Sequence, residues 1–272
     1  MGTKLKNAPV YFTLGQIQHN PLLSLESYVP QIQESMRKAG YPGFRKVTSV
    51  AFNLSQVASG GNANLEAPAQ RIDQYQFSNV AETCQFVMAA NAISFQTTNY
   101  QDYEAFWAEL RRGLEILDHA VDGLSFVDRL GIRYLDAVAP REGESLRNYL
   151  APELLGLPAR MPESMFAYSF SETVLVVEGI GKVVCRAIAQ NGSVAFPPDL
   201  QSSSLKLKDR FLGVSGEHAI LDTDGISEEK RPYDLGEIES HMNSLHELMA
   251  SCFKASVTDE AWKIWKGEDE SL

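Results

Sequence analysis

The residues best suited to chemistry lie on one strand-like segment near the middle of the chain. Arg129, Arg133, Tyr134 and Asp136 fall within residues 126–138, whose apolar positions predict a long β-strand. Side chains alternate between the two faces of a strand, so Arg129 and Arg133 share a face. Two guanidinium groups on one face can hold a carboxylate or phosphate through bidentate hydrogen bonds. These four residues therefore form the predicted ligand-binding site, for an anionic ligand.

Two alternatives bear on this prediction. The arginines could instead pair with carboxylates of the protein, such as Asp118 or Asp259. Aromatic side chains could also line a pocket for an apolar or flat ligand, or simply join helix to sheet in the core. The aromatic residues considered are Tyr75, Phe77, Phe95, Tyr134, Tyr168 and Phe170.

Other polar groupings indicate structure rather than chemistry. His241 and His246 are five residues apart, which turns them about 140° from each other on a helix, so they do not form a ligand pair. The run 222–225, Asp-Thr-Asp-Gly, resembles the start of a calcium loop but lacks the later oxygen ligands, and we interpret it as a turn. The chain has no nucleophile elbow, Walker loop, dinucleotide-binding glycine motif or His-Glu-x-x-His. We therefore expect no catalytic residue, no metal and no cofactor.

Charge and cysteine usage limit the classes of partner. The formal net charge is −11, which repels a phosphate backbone and makes nucleic-acid binding the weakest alternative, open only to a local basic patch such as Arg111-Arg112 or Lys206, Lys208 and Arg210. The three cysteines have no zinc-ligand spacing and are typical of free thiols in a reducing compartment. No apolar stretch is long enough for a signal peptide or a membrane span. We expect a cytoplasmic protein that does not enter membranes.

A strand, a long amphipathic helix and a short Asp-bearing segment occur twice. The first set is 92–98, 100–121 and 126–128, and the second is 218–222, 234–253 and 257–259. This repetition predicts two pseudo-repeated β-α-β-β-β-α halves, residues 1–122 and 123–272, packed as one globular unit. Strands outnumber crossover helices and occur in hairpin-length pairs, which favours antiparallel pairing. The expected fold class is therefore α+β, with a mainly antiparallel sheet and long helices packed on one face.

Further elements follow from local patterns. Residues 9–18 predict a central strand because both faces are apolar, and residues 25–38 predict a helix. Asn91 marks the turn of a hairpin, and 205–214 has the alternation of a strand. The Gly/Asn-rich stretch 59–64 predicts an exposed hairpin tip.

Three stretches carry a resemblance to a known family. They are Ala8-Pro9-Val10 leading to Asn20-Pro21-Leu22, Leu130-Gly131-Ile132-Arg133-Tyr134, and His246 to Phe253 followed by Thr258-Asp259 and Trp262. In order and spacing the chain resembles a sporadically distributed, uncharacterised family of bacterial and archaeal proteins of about this length. The region around Gly60-Gly61 and Pro197-Pro198 departs from that pattern. The resemblance implies no reaction and no catalytic residues, and the patchy distribution suggests defence or mobile-element genes.

These observations predict a non-enzymatic binding or assembly protein with a protein partner or self-association, and the resemblance suggests a role in a bacterial defence or mobile-element system. The alternative is a small-molecule binder or an enzyme whose site lies on the sheet face, with Arg129 and Arg133 holding an anion. Nucleic-acid binding is the weaker alternative. Each hypothesis depends on which side chains the sheet brings together.

Overall fold

The fold is built on one large antiparallel sheet. The computed structural model describes residues 5–51, 70–161, 167–200 and 204–268. Nine strands run across the sheet in the order β2-β3-β4-β5-β1-β6-β9-β8-β7, and the short β10 pairs with β6. The strands within these ranges are β1 (Val10–His19), β2 (Gly43–Ala51), β3 (Gln70–Ser78), β4 (Cys84–Ala89), β5 (Ala92–Thr97), β6 (Phe126–Val138), β7 (Tyr168–Val177), β8 (Gly181–Asn191), β9 (Glu217–Ser227) and β10 (Arg231–Pro232).

Three long helices cover one face of this sheet, called here the helical face. The described α-helices are α1 (Leu25–Lys38), α2 (Tyr103–Ala120), α3 (Pro152–Leu155), α4 (Asp209–Leu212), α5 (Leu235–Ser256) and α6 (Asp259–Lys266). The apolar sides of α1, α2 and α5 meet side chains from β1, β4, β5 and β6 in one core. Each of α2 and α5 starts at an aspartate whose carboxylate accepts a backbone hydrogen bond in the first turn, from Ala105 to Asp102 and from Glu237 to Asp234.

Glycines let the helices approach the strands closely. A Cβ atom at Gly113 of α2 would lie 2.2 Å from Cε1 of Phe86 on β4. A Cβ atom at Gly225 of β9 would lie 2.5 Å from Sδ of Met249 on α5. The missing side chains let α2 approach β4 closely and let α5 approach β9 closely.

The pairing of the two central strands, β1 and β6, contains a register shift that changes the faces to which the first side chains of β1 point. Val10 is opposite Asp136, whereas Phe12 is opposite Leu135, so one extra residue lies in β1 between them. Because of this bulge, Tyr11 and Phe12 both point to the face opposite the helices, where each contacts Phe196. Val10 stays on the helical face beside Asp136.

The opposite face is covered near its centre by a second apolar cluster. Leu135 and Ala137 of β6 pack there against Leu205 and Phe211, from the connection between β8 and β9. The hydroxyl of Tyr11 donates to the backbone oxygen of Ala195 at 2.9 Å and ties the same connection to β1. The central strands are therefore buried on both faces, as the apolar pattern of residues 9–18 predicts.

The structure confirms a mixed α/β fold with a large antiparallel sheet. The predicted strand at 126–138 coincides with β6, and the hairpin at Asn91 joins β4 to β5. The prediction of a strand at 205–214 is wrong, because residues 209–212 form the short helix α4 and Leu205 and Phe211 pack beneath the sheet. Within the described ranges four strands, rather than three, separate α1 from α2, and the helical segments between β6 and β7 have only three or four residues each. The predicted hairpin tip at 59–64 lies outside the described residues.

Candidate functional site

The four predicted site residues point to two different environments. Arg129 and Arg133 lie on the face of β6 opposite the helices, together with Leu135. Tyr134 and Asp136 lie on the helical face, where both line a cavity. This separation follows from the alternation of side chains along a strand.

Arg133 is engaged by carboxylates of the protein. Its Nε and Nη2 donate to the two oxygens of Asp222 on β9 at 2.7 and 2.8 Å, in bidentate geometry. Its Nη1 and Nη2 also donate to Asp199, which lies in the turn Pro198–Leu200. Arg186 of β8 adds a further contact to Asp222 at 3.3 Å. These pairs differ from the predicted partners Asp118 and Asp259, and an anion would reach Arg133 only by displacing Asp199.

Arg129 takes no part in that network. Its Nη1 donates to the side-chain oxygen of Gln16 on β1 at 2.7 Å. Gln16 is a neutral acceptor, while Asp224 and Glu228 lie close enough for the charge of Arg129 to favour their ionised forms. The two arginines share a face as predicted, and Arg133, unlike Arg129, makes ion pairs among the described residues. The hypothesis of an anion clamp stays a prediction.

The cavity lies on the helical face, between the start of α2 and the middle of α5. Its floor is formed by β6 and β9, and its side by the start of β1 and residues before it. It encloses about 200 Å³. The lining residues are Leu5, Ala8, Pro9, Val10, Tyr100, Gln101, Asp102, Tyr103, Glu104, Tyr134, Asp136, Thr223, His246, Met249, Ala250, Phe253 and Trp262.

Asp136 is the most unusual group in this cavity. The residue is 6% exposed, and its carboxyl group has no hydrogen-bond or ion-pair partner among the described residues. Burial raises its pKa to about 7, because a carboxylate away from water is destabilised relative to the neutral acid. A buried carboxyl that faces a cavity without a partner is available to something that enters the cavity.

Aromatic rings line the cavity together with this carboxyl. The imidazole of His246 on α5 stacks on the ring of Tyr103 on α2, with 4.0 Å between centroids and 2° between planes. The Tyr134 hydroxyl lies 3.1 Å from Nδ1 of His246, and the Tyr134 ring meets that of Tyr100 edge-on at 5.5 Å. The hydroxyl of Tyr103 is buried and has no partner among the described residues. The wall is therefore aromatic, with polar atoms at its surface.

The charged side chains that line the cavity are all acidic. The lining also contains His246, which burial keeps neutral. Asp102, Glu104 and Asp136 contribute carboxyl groups, and the lining includes no lysine or arginine. Burial lowers the pKa of His246. Burial also raises the pKa of Tyr134, with the Tyr100 hydroxyl adding to the effect, so this phenol stays protonated. The lining therefore supplies carboxyl groups and no lysine or arginine to balance them.

Sequence reasoning found half of this site. It named Tyr134 and Asp136 but assigned them to a site with the arginines, and it interpreted His246 as a structural residue. Of the six aromatic residues considered for a pocket, only Tyr134 lines the cavity. Tyr75, Phe77 and Phe95 are core residues, while Tyr168 and Phe170 are exposed on β7. The sequence did contain a signal of this site, because Asp136 is an acidic residue on a strand face that is otherwise apolar.

The remaining motifs are structural. Residues 222–225 lie inside β9, so their interpretation as a turn is wrong; Asp222 belongs to the ion-pair network. No group of three or more His, Cys, Asp or Glu residues in the described part of the chain is arranged to hold a metal. Cys84, Cys185 and Cys252 are free thiols. None of the helices within the described ranges is long and apolar enough to cross a bilayer.

Comparison of the sequence with protein-family models gives no match, and comparison with curated proteins gives none either.

Proposed function

We propose that this protein binds a small organic molecule in the cavity between α2 and α5. The observation that carries the proposal is the unpartnered carboxyl group of Asp136 on the cavity floor. Burial of an unpaired polar group costs free energy unless a partner compensates it. A ligand from solution would supply that partner, and no described residue does.

The size and lining of the cavity support this proposal. A volume of about 200 Å³ exceeds that of the ~150 Å³ engineered cavity known to hold benzene. Ligand sites are typically lined by apolar and aromatic side chains with a few polar groups that orient the ligand. Here Pro9, Met249, Phe253 and Trp262 supply the apolar wall, and Asp136 lies among the polar groups.

We also infer that the two halves of the chain share one plan, which would place the cavity at their junction. The first strands of the halves, β1 and β6, are adjacent at the sheet centre. Outward from there the strands follow in reverse chain order, β5-β4-β3-β2 on one side and β9-β8-β7 on the other. The strand beside each central strand, β5 or β9, precedes a long helix, α2 or α5. These helices form the two walls of the cavity.

A cavity-filling variant tests whether ligands bind at this place. Ala250→Trp puts a large ring at the mouth of the cavity on α5, and Ala255→Trp puts the same ring on an exposed position of that helix. A fragment library screened by ligand-observed NMR is expected to contain binders for the wild type and for Ala255→Trp, but not for Ala250→Trp. The proposal fails if no fragment binds, or if the Ala250→Trp variant binds the same fragments equally well.

A second candidate function is assembly, for which the edge strand β7 is the supporting observation. Val176 is 79% exposed and Tyr168 70% exposed, and Phe170 and Val174 on the same side of β7 are exposed as well. No strand within the described ranges pairs with the outer edge of β7. A long apolar edge is a template for pairing with another strand.

We infer that the partner strand is β7 of a second copy. Glu172 is the single charged residue of β7, and it is already paired with Arg186 at 2.7 Å, so two copies would approach without charge repulsion at the edge. Light scattering after size-exclusion chromatography is expected to give a dimer for the wild type and a monomer for Val176→Lys. Val80→Lys, at an isolated exposed valine, is the control that should stay dimeric. A monomeric wild type would remove this candidate.

A further inference from the structure

We propose that the ligand of the cavity is an organic ammonium ion, a primary or secondary amine on an apolar body, with Asp136 as its counter-ion. This inference rests on the proposed function and specifies its ligand class. Three features of the cavity carry it: the sign of its charges, the arrangement of its rings, and the position of its apolar wall.

The charges of the lining favour a cation over an anion. Glu104 and Asp136 line the cavity together with Asp102, and the lining includes no lysine or arginine. The N-terminal end of α2 is a source of positive potential beside the cavity, and Asp102 already caps it by accepting from the backbone nitrogen of Ala105 at 2.9 Å. An anionic ligand would therefore meet the carboxyl groups of Glu104 and Asp136, whereas a cation would pair with Asp136.

The rings form a partial cage around the position that a cation would occupy. Tyr100 and Tyr134 meet edge-on, and Tyr103 stacks on His246, so ring faces and edges border the same space. A cation over a ring face is attracted by the negative quadrupole of the ring, and the attraction increases when water is excluded. Ammonium hydrogens would also find acceptors at the carboxyl of Asp136 and the hydroxyl of Thr223.

The apolar wall accounts for the rest of the ligand. Val10, Met249 and Phe253 lie in the lining together with the indole of Trp262. This wall offers no fixed charge, so it suits a hydrocarbon or aromatic body rather than a polyamine or a sugar. Arylalkylamines combine such a body with one ammonium group.

A matched set of three probes tests the charge preference. Phenethylamine, phenethyl alcohol and phenylacetate share a phenyl body and differ in carrying a positive, neutral or negative end. Titration calorimetry or NMR on the full chain at pH 8 is expected to show binding in the order amine, alcohol, acid, with the amine at least about tenfold tighter than the alcohol. The amine recovered after incubation should be unchanged by mass spectrometry.

Substitution of Asp136 provides the second part of the test. Asp136→Asn keeps the shape of the side chain and removes the charge, and it should weaken amine binding by at least about 30-fold while leaving alcohol binding within a factor of three or so. Asp128→Asn, at an exposed position of the same strand, should bind the amine like the wild type. Melting temperatures of both variants show that they are folded.

The outcomes separate the two proposals. Binding of the alcohol or the acid as tightly as the amine, or unchanged amine binding by Asp136→Asn, overturns the ammonium assignment and leaves the cavity as a ligand site. Failure of all three probes to bind, together with failure of the fragment screen, overturns both. Conversion of the amine would show an enzyme rather than a binding protein.

Discussion

The imidazole of His246 lies flat on the ring of Tyr103, with centroids 4.0 Å apart and planes 2° apart. Tyr103 opens α2 and His246 lies in the middle of α5, so this stack joins the two helices that enclose the cavity. The ion pair between Arg111 and Glu239, at 3.1 Å, is a further link between the same two helices.

We expect the stack to couple the two residues energetically. Tyr103→Leu and His246→Leu each remove one ring, and a double-mutant cycle by urea denaturation should give a coupling energy of about 0.5–1.5 kcal/mol. The same cycle between Tyr103 and the distant Trp265 should give no coupling. If the effects of the two single substitutions on the free energy of unfolding simply add, the contact between Tyr103 and His246 contributes no coupling energy.

The second prediction concerns pH and Asp136. Its pKa is raised from 3.8 to about 7, so between these values the folded protein keeps a proton that the unfolded chain has lost. Stability from this group is therefore present at acid pH and is lost as the pH rises through 7. Asp136→Asn removes the penalty and should be the more stable protein at pH 8, by roughly 4 kcal/mol at most, with little difference near pH 4.

Denaturant titrations of the wild type and Asp136→Asn at several pH values measure this difference directly. The titratable groups that line the cavity together with Asp136 are Tyr100, Asp102, Tyr103, Glu104, Tyr134 and His246. These groups are present in both proteins, so their own titrations largely cancel. Asp128→Asn should show no such dependence, and a pH-independent difference for Asp136→Asn would contradict the prediction.

The third prediction reverses the usual effect of alanine in a helix. Replacing glycine by alanine inside a helix normally stabilises it by up to about 1 kcal/mol. At Gly113 the new Cβ would lie 2.2 Å from Phe86, whose ring is itself packed against Tyr41 and Phe95. Gly113→Ala should therefore destabilise the protein by about 1–3 kcal/mol, measured as a lower melting temperature.

A rescue experiment shows whether the cause is steric. Phe86→Leu makes room on β4, so the Gly113→Ala change should cost less in the Phe86→Leu background than in the wild type. Equal costs in both backgrounds would show that the predicted clash is relieved elsewhere.

The sequence predicts most of the helices and strands because their apolar residues recur with a clear period. The strand 126–138 and the helices that became α2 and α5 stand out by alternation and by 3.6-residue spacing. The segment 205–214 failed because Leu205, Leu207 and Phe211 alternate like strand residues, whereas they pack under the sheet from a connection that contains α4. Asp222 and Asp224 resemble turn residues, and only the pairing of Asp222 with Arg133 and Arg186 explains a carboxylate inside β9.

The cavity could not be predicted in the same way. Tyr134 and His246 are 112 residues apart, and their contact depends on β9 joining β6 and on α5 crossing that pair. No local pattern encodes this order of strands. The alternation of side chains along β6 already implies that Asp136 and Arg133 face opposite sides of the sheet. The sequence-based prediction nevertheless placed both residues in one site.

The last prediction separates a structural role of Arg133 from an anion-binding role. Removing Arg133 leaves Asp222, 1% exposed, with only the 3.3 Å contact to Arg186 among the described residues, so Arg133→Ala should cost about 3–5 kcal/mol of unfolding free energy. Asp199 is largely exposed, and Asp199→Ala should cost less than about 1 kcal/mol.

If the two arginines instead form an anion site, Asp199→Ala should expose it. Phosphate would then raise the melting temperature of Asp199→Ala more than that of the wild type, and Arg129→Gln would remove the effect. A structural network predicts equal and small phosphate effects in all three proteins, because Asp222 continues to occupy the guanidinium of Arg133 through two hydrogen bonds. The difference in phosphate response between Asp199→Ala and the wild type therefore decides between the two roles.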